Sequence, residues 1–248
     1  MLHARQLAKS FGGVHALAGL ELSVAAGEIV GLIGPNGSGK TTTVNLLSGI
    51  YRASAGTVTL DGRDVTHAKP EQIVRCGLAR TFQNLRLFGG HSVLDNVRVG
   101  QSIHCESRVA FFNALRSDAE DRRLQEAHAL IERLSLTPRR HAPAESLSYG
   151  EKKRLEIARA LATRPKILLL DEPAAGMNPV EIESLMRTIR GIRDDGVGIL
   201  LIEHHMKLVM NVCDRIAVLD FGMKIAEGTP AEIASDAAVV KSYLGEAA

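Results

Sequence analysis

Gly34-Pro35-Asn36-Gly37-Ser38-Gly39-Lys40-Thr41 sets a lysine and a hydroxyl at the end of a glycine-rich run, matching GxxxxGK[ST] at every fixed position. Glycines let successive backbone N–H groups converge on phosphate oxygens, and a helix opening at the end of the run adds the positive end of its dipole. Lys40 has the reach for β and γ phosphates, and the Thr41 hydroxyl can ligate Mg²⁺. Such chemistry needs acids on a second strand. Lys166-Ile167-Leu168-Leu169-Leu170-Asp171-Glu172 supplies two, at the end of an apolar run where parallel sheets bind ligands. Asp171 is placed to hold Mg²⁺, directly or through water, while Glu172 points elsewhere and can polarise the water that attacks a γ-phosphate. Two acids ending a strand also suit a solvated loop or a helix cap; the glycine-rich loop in the same chain favours the phosphate reading.

The elements that must carry these residues are legible. Ile29–Ile33, Ile167–Leu170 and Ile199–Ile202 are almost uniformly apolar, as strands buried on both faces of a parallel sheet are. Thr41–Ser48, stopped by Gly49, is the expected helix after the loop. Leu20, Leu22 and Val24 alternate with polar or small residues, and Thr57–Leu60 runs into the turn pair Asp61-Gly62, so both are expected in an antiparallel sheet near the N-terminus. Asn178-Pro179 opens a helix carrying Ile182, Leu185, Met186 and Ile189 at helical spacing. Leu124, Ala127, Leu130, Ile131 and Leu134 mark another, ending before Pro138. The stretch from about 91 to 163 has no strand-like run and reads as a helical insertion. Thr229-Pro230 and Asp236 begin two short C-terminal helices, the second closed by Gly245. Asp220-Phe221-Gly222 imitates a kinase motif without the HRD or VAIK segments, and reads better as a hairpin turn.

The chain's 248 residues suffice for one domain with a real core, and its 45% apolar and 23% charged content is that of a soluble globular protein. Thirty basic against 28 acidic residues give a net charge of +2 with no like-charge run, which argues against a nucleic-acid partner. The three cysteines, Cys76, Cys105 and Cys213, are widely spaced and form no CxxC pair, as expected in a reducing compartment. No apolar run is long enough to cross a bilayer, and Met1–Arg5 does not resemble a signal peptide, so any membrane role is expected from the cytosol, through a partner.

The two phosphate motifs give nucleotide hydrolysis but not a task. Leu147-Ser148-Tyr149-Gly150-Glu151 discriminates further. Locally it is a capping box, Ser148 with Glu151, opening a helix. Together with the residues up to Leu161 and the acid strand soon after, it resembles the signature segment of ABC ATPases, whose usual form is LSGGQ. Tyr149 and Glu151 replace glycine and glutamine here, and the Tyr149 form looks like the branched-chain amino acid subgroup. Ala79 through Phe88, Leu155 through Ala160, Asp171 through Pro179 and Tyr243 through Glu246 are similar to the same importers.

That resemblance spans residue 2 to about 245. It implies an α/β P-loop NTPase fold: a RecA-like parallel sheet core, an N-terminal antiparallel β subdomain and an inserted helical subdomain, all in one domain over residues 1–248. It implies ATP and Mg²⁺ as ligands. Gly34 through Thr41, with Thr42, would hold the phosphates, and Phe11 would stack on adenine. Gln83 would link Mg²⁺ to the surface where a membrane partner docks, and Thr41 and Asp171 would complete the metal site. Glu172 and His204 would be catalytic, and Ser148 and Gly150 would cover the γ-phosphate held by a second ATPase subunit. Ala174 through Asn178 would form the D-loop, with Asn178 where many relatives carry aspartate. Alone, Phe11 would more often be a core or loop aromatic, Gln83 a surface residue, and His204 a polar strand end; His205 beside it gives no HExxH spacing. The implied complex has two ATPase subunits, identical or related, two membrane permease subunits and a periplasmic solute-binding protein, with this chain peripheral on the cytoplasmic face of a bacterial inner membrane. Urea or short-amide importers, lipid extractors and a soluble regulatory ATPase are the alternatives. Leu85, Leu87 and Phe88 form a candidate docking patch. The adjacent Phe111 and Phe112 face about 100° apart on a helix, so both cannot sit centrally in one narrow stripe; packing within the helical subdomain is the favoured expectation, and exposure of one toward a partner or lipid the alternative.

Overall fold

The computed structural model describes residues 1–83, 85–104 and 113–244. Its centre is three strands buried at every position: β3 (Ile29–Ile33), β7 (Ile167–Asp171) and β8 (Gly198–Ile202). Their side chains alternate between two cores. Val30, Leu32, Ile167, Leu169 and Leu200 enter one, while Ile29, Ile33, Leu168, Leu170, Ile199 and Leu201 enter the other. Both faces are covered, which is why the runs are apolar throughout. With β6 (Leu78–Arg80), β9 (Arg215–Asp220) and β10 (Met223–Gly228) they form a sheet of order β10-β9-β3-β8-β7-β6, parallel except for the β9–β10 hairpin. Phe221 and Gly222 turn that hairpin with φ of 41° and 79°, as the sequence led us to expect of this segment.

The second sheet is antiparallel: β1 (Leu2–Phe11), β2 (Val14–Val24), β4 (Ala55–Leu60) and β5 (Arg63–Asp64), in the order β2-β1-β4-β5. The expected strands at 20–24 and 57–60 therefore belong to one sheet, but they do not pair with each other. β1 lies between them. Its alternation is broken by a bulge at Gln6 (φ 47°), so the period-two signal that betrays a strand is lost. Gly56 sits opposite; a Cβ there would lie 2.2 Å from the Gln6 carbonyl oxygen.

α1 (Lys40–Leu47) lays Val44, Leu46 and Leu47 on the core shared with the antiparallel sheet. α2 (Pro70–Arg75) and the three-residue edge strand β6 are too short to carry a periodic signal. α3 (Val93–Gln101), α4 (Asn113–Arg133) and α5 (Tyr149–Leu161) pack together as the helical insertion. α6 (Pro179–Asp194) and α7 (Met206–Val212) cover the remaining face of the parallel sheet. Thr229 and Asp236 accept backbone hydrogen bonds at the starts of α8 (Pro230–Ser235) and α9 (Ala237–Leu244). The expectations for Phe111 and Phe112, Asn84, Cys105, and Gly245 as a helix stop lie outside the described residues.

Candidate nucleotide-hydrolysis site

β3 delivers the chain into the glycine-rich loop, and three glycines are required there for two different reasons. At Gly34 (φ 149°) a Cβ would stand 2.0 Å from the Leu219 carbonyl oxygen, and at Gly39 (φ 105°) 2.7 Å from that of Ala16. At Gly37 (φ 81°) there is room, so the backbone conformation alone demands glycine. The loop is braced from outside by the β9–β10 turn: Gly222 N–H donates to the Ser38 carbonyl at 3.0 Å, and Ala18 N–H to the Gly222 carbonyl at 2.8 Å. α1 opens at Gly39 without a side-chain cap, which leaves its first N–H groups and dipole free to face an anion. Asn36 and Gly37 are exposed at the apex, beside half-buried Pro35. Ser38 is buried, and its hydroxyl has no partner among the described residues.

Lys40 folds back over the loop and donates to the carbonyls of Gly34 (2.7 Å) and Pro35 (2.8 Å). Burial pulls its pKa down, and the Glu172 carboxylate pushes it back up. The Thr41 and Thr42 side chains follow on the first turn of α1, Thr41 exposed and Thr42 half-buried.

The two acids at the end of β7 have separate environments. Asp171 is buried and its Oδ2 accepts from Arg80 Nη2 at 2.8 Å. Glu172 stands in the left-handed region at φ 46°, a conformation costing on the order of 1–3 kcal/mol for a non-glycine residue. Its N–H donates to the Ile202 carbonyl at 2.9 Å, which ties it to the end of β8. The turn aims the carboxylate away from Asp171. Gln83 Nε2 donates to its Oε2 at 2.8 Å, and His204 Nδ1 lies 3.9 Å from its Oε1. Gln83, Glu172 and His204, 121 positions apart in sequence from first to last, thus meet at one carboxylate.

Other expected residues lie elsewhere. Phe11 is 43% exposed at the end of β1, edge-on to Tyr51 with ring centroids 5.3 Å apart, and Lys9 Nζ stands 4.9 Å over its ring. Ser148 caps α5: its Oγ accepts from Glu151 N–H at 3.3 Å and its N–H donates to Glu151 at 2.8 Å. That backbone bond leads the effects holding the Glu151 carboxyl below its usual range, so the unusual Glu151 is committed to the cap. Asn178 likewise caps α6, accepting from Val180 and Glu181 at 3.0 Å each. A Cβ on Gly150 would lie 2.5 Å from Glu181 Oε1. No hydrogen bond or ion pair joins Ser148 or Gly150 to Gly34–Thr41 within this chain, among the described residues. In the expected docking patch Phe88 is 47% exposed, while Leu85 and Leu87 are half-buried and Leu87 packs on the core.

Several residues at the site were given no role by the sequence. Arg80 Nη1 also donates to Asn45 Oδ1 (2.7 Å) and Ser48 Oγ (3.0 Å), joining α1 to β7. From α5, Lys153 donates to the Gln83 carbonyl at 3.0 Å, and Glu156 accepts from Phe82 N–H at 3.1 Å; both side chains are buried. Burial raises the Glu156 pKa. Glu203, preceding His204, is buried as well. These charged side chains bond mostly to backbone, or across distances that no local spacing reveals.

Residues 17–175 match the family described as ABC transporter, and residues 223–248 match the one described as branched-chain amino acid ATP-binding cassette transporter. The chain belongs to the ABC transporter ATP-binding family. This ABC ATPase is 43% identical to the high-affinity branched-chain amino acid transport ATP-binding protein LivG of Salmonella typhimurium, over all of its own length and 98% of that protein. It is 41% identical to the corresponding protein BraF of Pseudomonas aeruginosa with the same coverage. A nucleotide-free ATP-binding cassette from an ABC transporter superposes with a TM-score of 0.87 at 32% identity, covering 99% of each chain.

The cassette accordingly has the ATP-binding fold expected of it, with ATP as substrate. Its residues also fit a magnesium ion. The Thr41 hydroxyl, the Gln83 amide oxygen and the Asp171 oxygen not taken by Arg80 are hard oxygen ligands of the kind this ion takes. No group of three His, Cys, Asp or Glu residues that could hold a metal occurs among the described residues. No helix among the described residues is long and apolar enough to cross a membrane.

Proposed function

We propose that this ABC ATPase powers uptake of branched-chain amino acids. It would sit peripherally on the cytoplasmic face of a bacterial inner membrane, held there by permease subunits and paired with a second, identical or related ATPase subunit. The observation that carries the enzymatic part is the Glu172 carboxylate, bonded to Gln83 and facing His204 at the end of the strand beside the phosphate loop. The substrate class is supported by the full-length likeness to LivG and BraF, together with the match over residues 223–248.

In this reading Gly34 through Thr42 bind the phosphates through backbone N–H groups and the uncapped start of α1. Lys40 exchanges its two carbonyl partners for β- and γ-phosphate oxygens, a charge-assisted contact. Phe11 stacks on adenine, a contact worth about 1–3 kcal/mol for a base on an aromatic ring. Glu172 accepts a proton from the attacking water, and His204, beside that carboxylate, contacts the γ-phosphate. Thr41, Gln83 and Asp171 would hold magnesium, which would supply charge neutralisation at the phosphates. Ser148 and Gly150 act on the nucleotide of the partner subunit. A periplasmic solute-binding protein would deliver the amino acid to the permease, so the amino acid itself never touches the ATPase.

Reconstitution tests the substrate. The chain, its permease and the solute-binding protein produced with them are assembled in vesicles, and ATP hydrolysis is measured with leucine, isoleucine or valine loaded on the binding protein, then with urea or acetamide. Stimulation by branched-chain amino acids alone supports the reading. Stimulation by urea or amides, association with lipid-extracting membrane proteins, or co-purification with ribosomes would each replace it.

A further inference from the structure

Glu203 is 1% exposed, and no cation pairs with it among the described residues. A buried carboxylate needs compensation, and here it comes from three backbone N–H groups. Ala174 donates to Oε1 at 2.7 Å, while His204 and His205 donate to Oε2 at 3.0 and 3.1 Å. The two oxygens thus serve two different segments: Oε1 holds the turn after β7, and Oε2 holds the turn after β8.

These bonds close a ring. Glu172 leaves β7 in the left-handed conformation, its N–H fixed to the Ile202 carbonyl. Two residues on, Ala174 is fixed to the Glu203 carboxylate. That carboxylate also fixes the backbone of His204, whose imidazole faces Glu172 at 3.9 Å. Beyond Ala174 the chain runs through Gly176 to the cap of α6, and Gly176 packs on Tyr149; a Cβ there would lie 3.3 Å from the Tyr149 ring. One buried side chain therefore bonds to the backbone beside both Glu172 and His204, and to the segment that passes Tyr149 of α5 on its way to α6.

We propose that Glu203 is a positioning residue for ATP hydrolysis, acting through the His204 backbone and the Ala174 turn to hold the imidazole beside the Glu172 carboxylate that takes the proton of the attacking water. This rests on the roles proposed above for Glu172 and His204.

Glu203→Gln is nearly isosteric, but one of its two acceptors becomes an NH₂ group, so either Ala174 or the two histidine amides lose their partner. Misplacement of a reacting group by about 1 Å costs on the order of 100-fold. The expected result is a kcat about 10- to 100-fold below wild type, with KM for ATP within about twofold. Affinity for a non-hydrolysable ATP analogue should be unchanged. The same substitution on a background lacking both groups it positions, Glu172→Gln with His204→Ala, should cost less than about threefold further, because residues acting through one another are non-additive. Rates are followed with radiolabelled ATP. Unchanged kcat in Glu203→Gln, or equal fold losses with and without the paired Glu172→Gln and His204→Ala changes, overturns the proposal; the latter is what a merely structural role gives. Should Glu203→Gln fail to fold, Glu203→Asp, which keeps the charge one methylene shorter, runs the same cycle. Full activity of His204→Ala alone would instead overturn the reading of His204, a separate outcome from failure of Glu203.

Discussion

Arg80 and Asp171 form a buried ion pair at 2.8 Å, their side chains 8% and 7% exposed, and the same guanidinium reaches Asn45 on α1 and Ser48 at its C-terminal end. One edge-strand residue thus joins the helix after the phosphate loop to the acid strand.

Breaking such a pair leaves an uncompensated charge in the interior, which costs about 3–5 kcal/mol. Arg80→Met should lower stability by that amount in urea unfolding. Arg80→Met with Asp171→Leu should cost less than the sum of the two single changes, since no charge is left alone. Wild-type stability of Arg80→Met would show that the pair contributes nothing to the fold.

Glu172→Gln retains the shape of the side chain and removes its basicity. Turnover should fall about 10²- to 10⁴-fold while ATP still binds, as single-turnover and equilibrium binding measurements would separate. Lost nucleotide affinity with turnover preserved would assign the wrong acid.

Lys40→Ala should act the other way, weakening ATP binding itself. The pH dependence has a defined sign. Burial lowers the Lys40 pKa and Glu172 raises it, so affinity should fall with rising pH before an ordinary lysine would titrate. In Glu172→Gln that alkaline limb should move to lower pH, measured by nucleotide titrations across pH 7 to about 10. A limb unmoved by Glu172→Gln would sever the two residues electrostatically.

Ser148 lies outside the phosphate site of its own chain. If it serves the partner's nucleotide, Ser148→Arg should leave ATP binding to the monomer nearly intact and abolish ATP-driven dimerisation and hydrolysis. Mixing Ser148→Arg with Lys40→Ala chains should restore part of the activity, because the mixed pair has one site with a sound loop and a sound cap. The helix start contributes about 0.3–1 kcal/mol toward an anion, so a bulky cation there removes both fit and dipole contact. Normal hydrolysis by Ser148→Arg alone would remove Ser148 from the reaction.

The sequence alone determined the parts whose signal is local. The Gly34–Thr41 run, the apolar strands, the Ser148 and Asn178 caps and the Phe221-Gly222 turn depend on residues close along the chain, so spacing and residue type specify them. Resemblance added Gln83 and His204, which no local pattern singles out. Tertiary structure alone decided how these parts meet. β1 hid behind its bulge at Gln6, and β6 and α2 were too short for any period to show. Arg80, Lys153, Glu156 and Glu203 carry no local pattern that marks them as buried, since a charged residue is usually exposed. Their partners are backbone atoms and side chains up to 91 positions away, and only the folded sheet brings those donors and acceptors within 3.1 Å of one another. Burial then makes each such bond obligatory, which is how four inconspicuous charges come to hold the site in place.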